Sequence, residues 1–127
     1  MTALATKKYK LSLRKQQKSN GFTIYIPKGS LSSDELYDFC ICLCDIAGGY
    51  TMTEGKGGYK DPKTNEIITE DVYIFSVIST GEESLQKTIA ELYKVEQLMK
   101  QNGESSVLIT RNMVKVLPTF GDYNESC

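Results

Sequence analysis

The chain contains no histidine and no tryptophan among its 127 residues. Histidine is the commonest general base near neutral pH and the commonest protein metal ligand. Its absence excludes serine–histidine and cysteine–histidine nucleophile schemes within one chain. Arginine is scarce, with only Arg14 and Arg111. Charge of one sign is not in excess either: fifteen basic residues oppose sixteen acidic ones, a formal charge of −1. Binders of duplex nucleic acid usually carry a basic surplus, so that class is disfavoured. No apolar run approaches the roughly 20 residues of a membrane-spanning helix. The opening residues, MTALATKKYK, lack the apolar core of a signal peptide. The expectation is a cytoplasmic protein without a membrane partner.

The balance that is present, 40% hydrophobic and 24% charged, is that of a globular chain, and the length suits one domain. An ordered core is expected over residues 9–118, with loose ends at 1–8 and 119–127. Cysteines stand at 40, 42, 44 and 127. Cys-x-Cys-x-Cys in a helix sends the thiols to different sides, and no second pair completes a tetrahedral set. The trio is expected to be buried and to pack as small hydrophobes, with Cys127 free in a polar tail and no metal or other cofactor held. Residues 7–28 carry seven basic side chains and no acid. That run reads as a lysine-protected edge strand or as an anion-facing surface that includes Lys28.

Hydrophobic periodicity gives the elements. YKLSLR at 9–14 alternates like a strand, QQKSNG at 16–21 reads as a polar turn, and FTIYIP at 22–27 alternates again before a proline. The two strands are expected either to form a hairpin or to leave the first as an arm that pairs elsewhere. In LSSDELYDFCICLCDIAGG, Ser32 and Glu35 form a capping-box pattern. Leu36, Phe39, Cys40, Leu43 and Ala47 make one helical stripe, and Gly48-Gly49 stops it. Tyr37, Ile41 and Cys44 widen the apolar surface, as if this helix were covered on two sides. A short strand at 50–58 is expected to run into a glycine-rich bend, with a turn at 60–66. Residues 67–79 are apolar on both faces in their second half, as a central strand would be. A second helix over 81–102 shows a stripe of Leu85, Ile89, Leu92, Val95 and Met99. A last strand over 105–118 closes the chain. From residue 22 the order is βαββαβ, the order of a ferredoxin-like α+β fold. That fold is a four-stranded antiparallel sheet with both helices on one face, here with an extra N-terminal strand.

Candidate ligand contacts follow from residue type and parity. Gly55-Lys56-Gly57-Gly58 joins two strands and lacks the Ser or Thr of a phosphate-binding P-loop. It reads either as a bend or as a flexible loop whose N–H groups and Lys56 meet an anion. Thr51 and Thr53 share a strand face and either hydrogen-bond a ligand or pair across strands. Tyr25, Tyr59 and Tyr73 offer stacking surfaces or half-buried packing. Arg111 sits at a strand position otherwise apolar, with Lys115 on the same parity. It either snorkels at an edge or faces a phosphate or carboxylate. Glu70 and Asp71 are adjacent in a strand, point to opposite faces, and make no catalytic pair.

The ordered pieces YIPKG at 25–29, GGYT at 48–51, GKGGY at 55–59, ITEDVYIFSV at 68–77 and ESSVLI at 104–109 resemble a loose group of small uncharacterised phage- and plasmid-type proteins. That group shows a GG-x-T…G-x-G-[WY] segment, with Tyr59 here at the aromatic position. The resemblance covers about residues 22–117 and implies a ferredoxin-like fold in a phage or mobile-element setting, with no catalytic residues. By analogy with phage sponges for nucleotide signals, the expected function is non-enzymatic. A homo-oligomer would sequester an anionic, cyclic nucleotide and so counter host immunity. Two alternatives stand beside it: an inhibitor that binds a host defence enzyme, and a metal-independent nucleotide-cleaving enzyme.

Overall fold

The computed structural model describes residues 17–116. Six elements follow one another: β1 (Gln17–Pro27), α1 (Ser33–Ala47), β2 (Thr51–Lys60), β3 (Ile67–Thr80), α2 (Glu82–Gln101) and β4 (Leu108–Val116). The strands form one antiparallel sheet in the order β2-β3-β1-β4. Two long crossovers carry α1 and α2 onto the same face, and the fold is ferredoxin-like, as the element order predicts. The proposed strand at 9–14, both proposed loose ends and Cys127 lie outside the described residues.

Alternation decides which residues enter the core. Phe22, Ile24 and Ile26 of β1 and Phe75 and Val77 of β3 face the helices and are buried. They meet Phe39 and Leu43 of α1 and Leu92, Val95 and Met99 of α2. The rings of Phe39 and Phe75 stand edge to face, 5.2 Å apart. The α1 start is the predicted capping box: Glu35 N–H donates to Ser32 Oγ at 3.1 Å, and Ser32 N–H donates to Glu35 Oε1 at 2.9 Å. Gly48 ends the helix at φ 79°, a left-handed conformation that costs a residue with a Cβ.

Four expectations need correction. Residues 17–21 are not a turn but the first half of β1, paired with β4 and, from Ser19, with β3. Pairing on both sides satisfies the backbone of a segment whose composition favours a turn. The glycine segment 55–58 is likewise no bend. It runs in unbroken register against β3, and none of its glycines has a positive φ. In α2 the buried positions include Thr88 and Glu91, while Ile89 is exposed. Thr88 is tolerated there because Ser79 Oγ donates to its Oγ1 at 2.7 Å. Finally, α1 is covered on one side only among the described residues. Tyr37, Ile41 and Cys44 are exposed rather than packed.

Candidate functional site

The sheet face away from the helices carries the odd positions of β1 and β2 and the even positions of β3 and β4, as the strand register requires. At one end of that face lies a cleft of about 560 Å³. β3 supplies its centre through Glu70, Val72 and Ile74. β1 adds Tyr25 and Pro27, β4 adds Leu108, and residues 104–106 close one side. The segment from Lys56 to Tyr59 forms the opposite wall.

The cleft exists because β2 has glycine where the open face would otherwise carry side chains. A Cβ placed on Gly57 would stand 3.9 Å from both Glu70 Cγ and Val72 Cγ1. One placed on Gly55 would stand 3.2 Å from Ile74 Cδ1. Two consecutive open-face positions therefore lack the row of side chains that normally pairs across strands. Tyr25 pairs with Ile74 through β1, whereas Tyr59 pairs with Ile68 through β2. The two phenol-bearing positions are thus offset by six residues along β3, on the order of 20 Å before the side chains reach inward. Each marks one end of an elongated trough. Glu70 lies between them, half-buried, with no hydrogen bond or ion pair among the described residues.

The nine candidate residues divide between the two faces. Tyr25, Thr51, Thr53 and Tyr59 stand at open-face positions, and of these Tyr25 and Tyr59 line the cleft. Thr51 instead lies at the far end of that face, in a shallower depression with Gly49 and Ile78. Lys28 and Tyr73 stand on the helix-bearing side. The Lys28 ammonium is 5.0 Å from the Tyr73 ring centre and 3.3 Å from Glu54 Oε2. Arg111 is also on that side, with Cζ 5.4 Å from the Phe22 ring centre and Nε donating to Asn20 Oδ1 at 2.9 Å. Lys115 occupies a β4 position of the same parity, paired with Lys18. Lys28, Tyr73 and Arg111 thus lie on the opposite sheet face from Tyr25 and Tyr59 and do not converge with them on one small ligand. Lys56 is the exception among the cations. Its strand position faces the helix side, where Nζ is 3.7 Å from Asp71 Oδ1, yet it borders the cleft at the sheet edge. That pair is mostly exposed and weakly held, so the ammonium is free to exchange partners.

Sequence reasoning overlooked Glu70 as a ligand contact, weighing it only as half of a carboxylate pair. It also overlooked Ser105, Ser106 and Leu108. Glu70 was legible through its parity with Val72 and Ile74; the 104–106 segment left no such signal, because only the chain path brings it to the sheet end. The cysteines are less buried than expected: Cys40 and Cys42 are half-buried and Cys44 is exposed. Burial pushes the Cys42 thiol above its usual range, and the Glu91 carboxylate beside it adds to the effect. No group of three or more potential ligating side chains is placed to hold a metal among the described residues. No described helix is long and apolar enough to cross a membrane.

No family model matches the chain, and no curated protein does either. Solved structures do match. GlnK of B. subtilis, in its ATP complex, aligns with a TM-score of 0.53 at 8% identity, over 76% of this chain and 83% of that one. The CutA divalent cation tolerance protein of Archaeoglobus fulgidus aligns with a TM-score of 0.50 at 14% identity, over 85% and 96%. A phage SAM lyase bound to S-methyl-5′-thioadenosine gives 0.47 at 11% identity, over 80% and 90%. That last score is too low to carry an argument here. At such identities GlnK and CutA show a shared fold and nothing finer.

Proposed function

We propose that the protein is a non-enzymatic binder of a small nucleotide, held in the open-face cleft. The observation that carries this reading is the glycine-walled trough with Tyr25 and Tyr59 at its two ends and Lys56 at its rim. Aromatic rings accept the face of any base, a contact worth about 1–3 kcal/mol per base. Lys56, released from Asp71, supplies the countercharge for a phosphate. The apolar walls, Val72, Ile74 and Leu108, exclude water from the stacked base.

Capture of a cyclic nucleotide signal by a phage- or mobile-element-encoded sponge that counters host immunity is the role we propose for this binding. Such a protein works by stoichiometry, so it needs affinity and no turnover. We further propose a homo-oligomer. Ile78 is 46% exposed on the same sheet face, beyond the cleft, where a second copy would cover it.

Equilibrium dialysis against mono-, di- and cyclic nucleotides tests the reading, with native mass spectrometry of the recovered complex. Retention of a nucleotide, recovered at unchanged mass, supports it. Retention of none of them ends it, and a ligand recovered cleaved makes the protein an enzyme. A second reading, inhibition of a host enzyme by strand addition, rests on β2 and β4. Each is paired on one side only among the described residues. A host-lysate pull-down that yields no stoichiometric partner would remove it.

A further inference from the structure

We infer that the cleft selects guanine, with Glu70 as the residue that reads the base. This rests on the reading of the cleft as a nucleotide site. Glu70 stands on the central strand of the trough, at a position whose β2 register partner is Gly57. No side chain from β2 covers it, and its Cγ lies 3.9 Å from where a Cβ at position 57 would be. Its neighbours along the same face are Ile68 and Val72, which donate nothing. The Lys56 ammonium, at the cleft rim, lies 3.7 Å from Asp71 Oδ1 on the other face, makes no ion pair with Glu70, and is left to meet the phosphate. A half-buried carboxylate so placed has two acceptor oxygens and makes no hydrogen bond or ion pair among the described residues, though the Ser105 and Ser106 hydroxyls line the same cleft. A ligand that covers it in the cleft displaces its water and is favoured when it offers donors in exchange.

The bases differ in what they offer to such a group. A carboxylate accepts two parallel N–H bonds when two donors stand side by side, and guanine presents N1–H and the N2 amino group in that arrangement. Adenine and cytosine present one donor beside an acceptor lone pair, which a carboxylate repels. Uracil presents one N–H between two carbonyls. Hypoxanthine keeps N1–H and lacks the amino group. The chemistry therefore ranks guanine first, hypoxanthine next, and the other bases behind. Since a hydrogen bond to a charged group is the stronger kind, each lost donor weakens binding by about ten-fold or more.

The test is titration calorimetry of the full chain with GMP, IMP, AMP, CMP and UMP, repeated on Glu70→Gln. The expected result is GMP tightest, IMP about ten-fold weaker, and the others weaker still. In Glu70→Gln, whose amide meets the amino group with a donor, the series collapses to within about three-fold. Circular dichroism of the variant checks that the exposed-face substitution leaves the fold intact. AMP or UMP binding as tightly as GMP overturns the inference while leaving the nucleotide reading in place. So does a guanine preference that survives in Glu70→Gln. Binding of none of the five, with no cyclic or dinucleotide retained either, removes the reading itself and the inference with it.

Discussion

Gly57 and Glu70 are register partners on the open face of the sheet, and the missing side chain of the first leaves the second uncovered. This relationship gives the most direct handle on the cleft. Position 57 has ordinary extended backbone, and a Cβ there makes only van der Waals contacts at 3.9 Å. Gly57→Val should therefore fold, with stability raised by about 0.5–1 kcal/mol through the lower entropy of the unfolded chain. The same side chain should obstruct the trough and reduce ligand retention by at least about ten-fold. Denaturant midpoints and dialysis on one preparation separate the two effects. Loss of stability with retained binding would refute the cleft as the site.

Arg111 gives the opposite expectation. Its guanidinium lies on the helix-bearing side, over the Phe22 ring and bonded to Asn20. Arg111→Ala should leave nucleotide retention unchanged within about two-fold and alter stability by about 0.5 kcal/mol or less. Loss of binding in this variant would move the site to the other face of the sheet.

The capping box makes stability depend on acid. The Glu35 carboxyl is held below its usual 4.5, first by the Ser32 backbone N–H and then by the Ser32 hydroxyl. A carboxylate lowered in the folded state contributes fully above the unfolded value. That contribution fades as pH falls from about 4.5 through the folded value. Glu35→Gln should remove this part of the acid sensitivity. The difference in urea midpoint between the two proteins should be constant above about pH 6 and shrink toward about pH 3. A difference independent of pH would dismiss the reciprocal cap as its source. Separately, Ser32→Ala should cost about 1 kcal/mol at neutral pH.

A buried hydroxyl pair ties β3 to α2. Ser79 Oγ donates to Thr88 Oγ1 at 2.7 Å, and both residues are almost fully buried. Thr88→Val should cost about 1–3 kcal/mol, because it strands the Ser79 hydroxyl. Adding Ser79→Ala should recover part of that loss. A double-mutant cycle from chemical denaturation measures the coupling, and additive losses would refute the hydrogen bond's contribution.

Much of the fold was legible before any coordinates. Ser32-x-x-Glu35 and Gly48 fix the ends of α1 through local chemistry, and the structure places them as read. Alternation in Phe22-x-Ile24-x-Ile26 marks the core face of β1, whereas β3 is apolar on both faces and only the packing of the helices makes Phe75 and Val77 its core side. The strong errors lie where pairing overrules composition. Residues 17–21 look like a turn and are a strand, because β3 and β4 flank them. Residues 55–58 look like a loop and are a strand, because β3 holds them in register.

The site divides along the same line. Local patterning determined which residues alternate together, and hence that Glu70 and Asp71 part company and that Thr51 and Thr53 share a face; Tyr59 joins them only because pairing with β3 keeps 55–58 extended. Which strands become neighbours, and which sheet face the helices cover, is decided by tertiary packing. That choice sends Arg111, Lys28 and Tyr73 to the helix side and leaves Tyr25, Tyr59 and Glu70 around one cleft. The physical reason is that parity is a property of a single strand. Convergence is a property of the register between strands, which hydrogen bonds and core burial fix only when the whole sheet has formed.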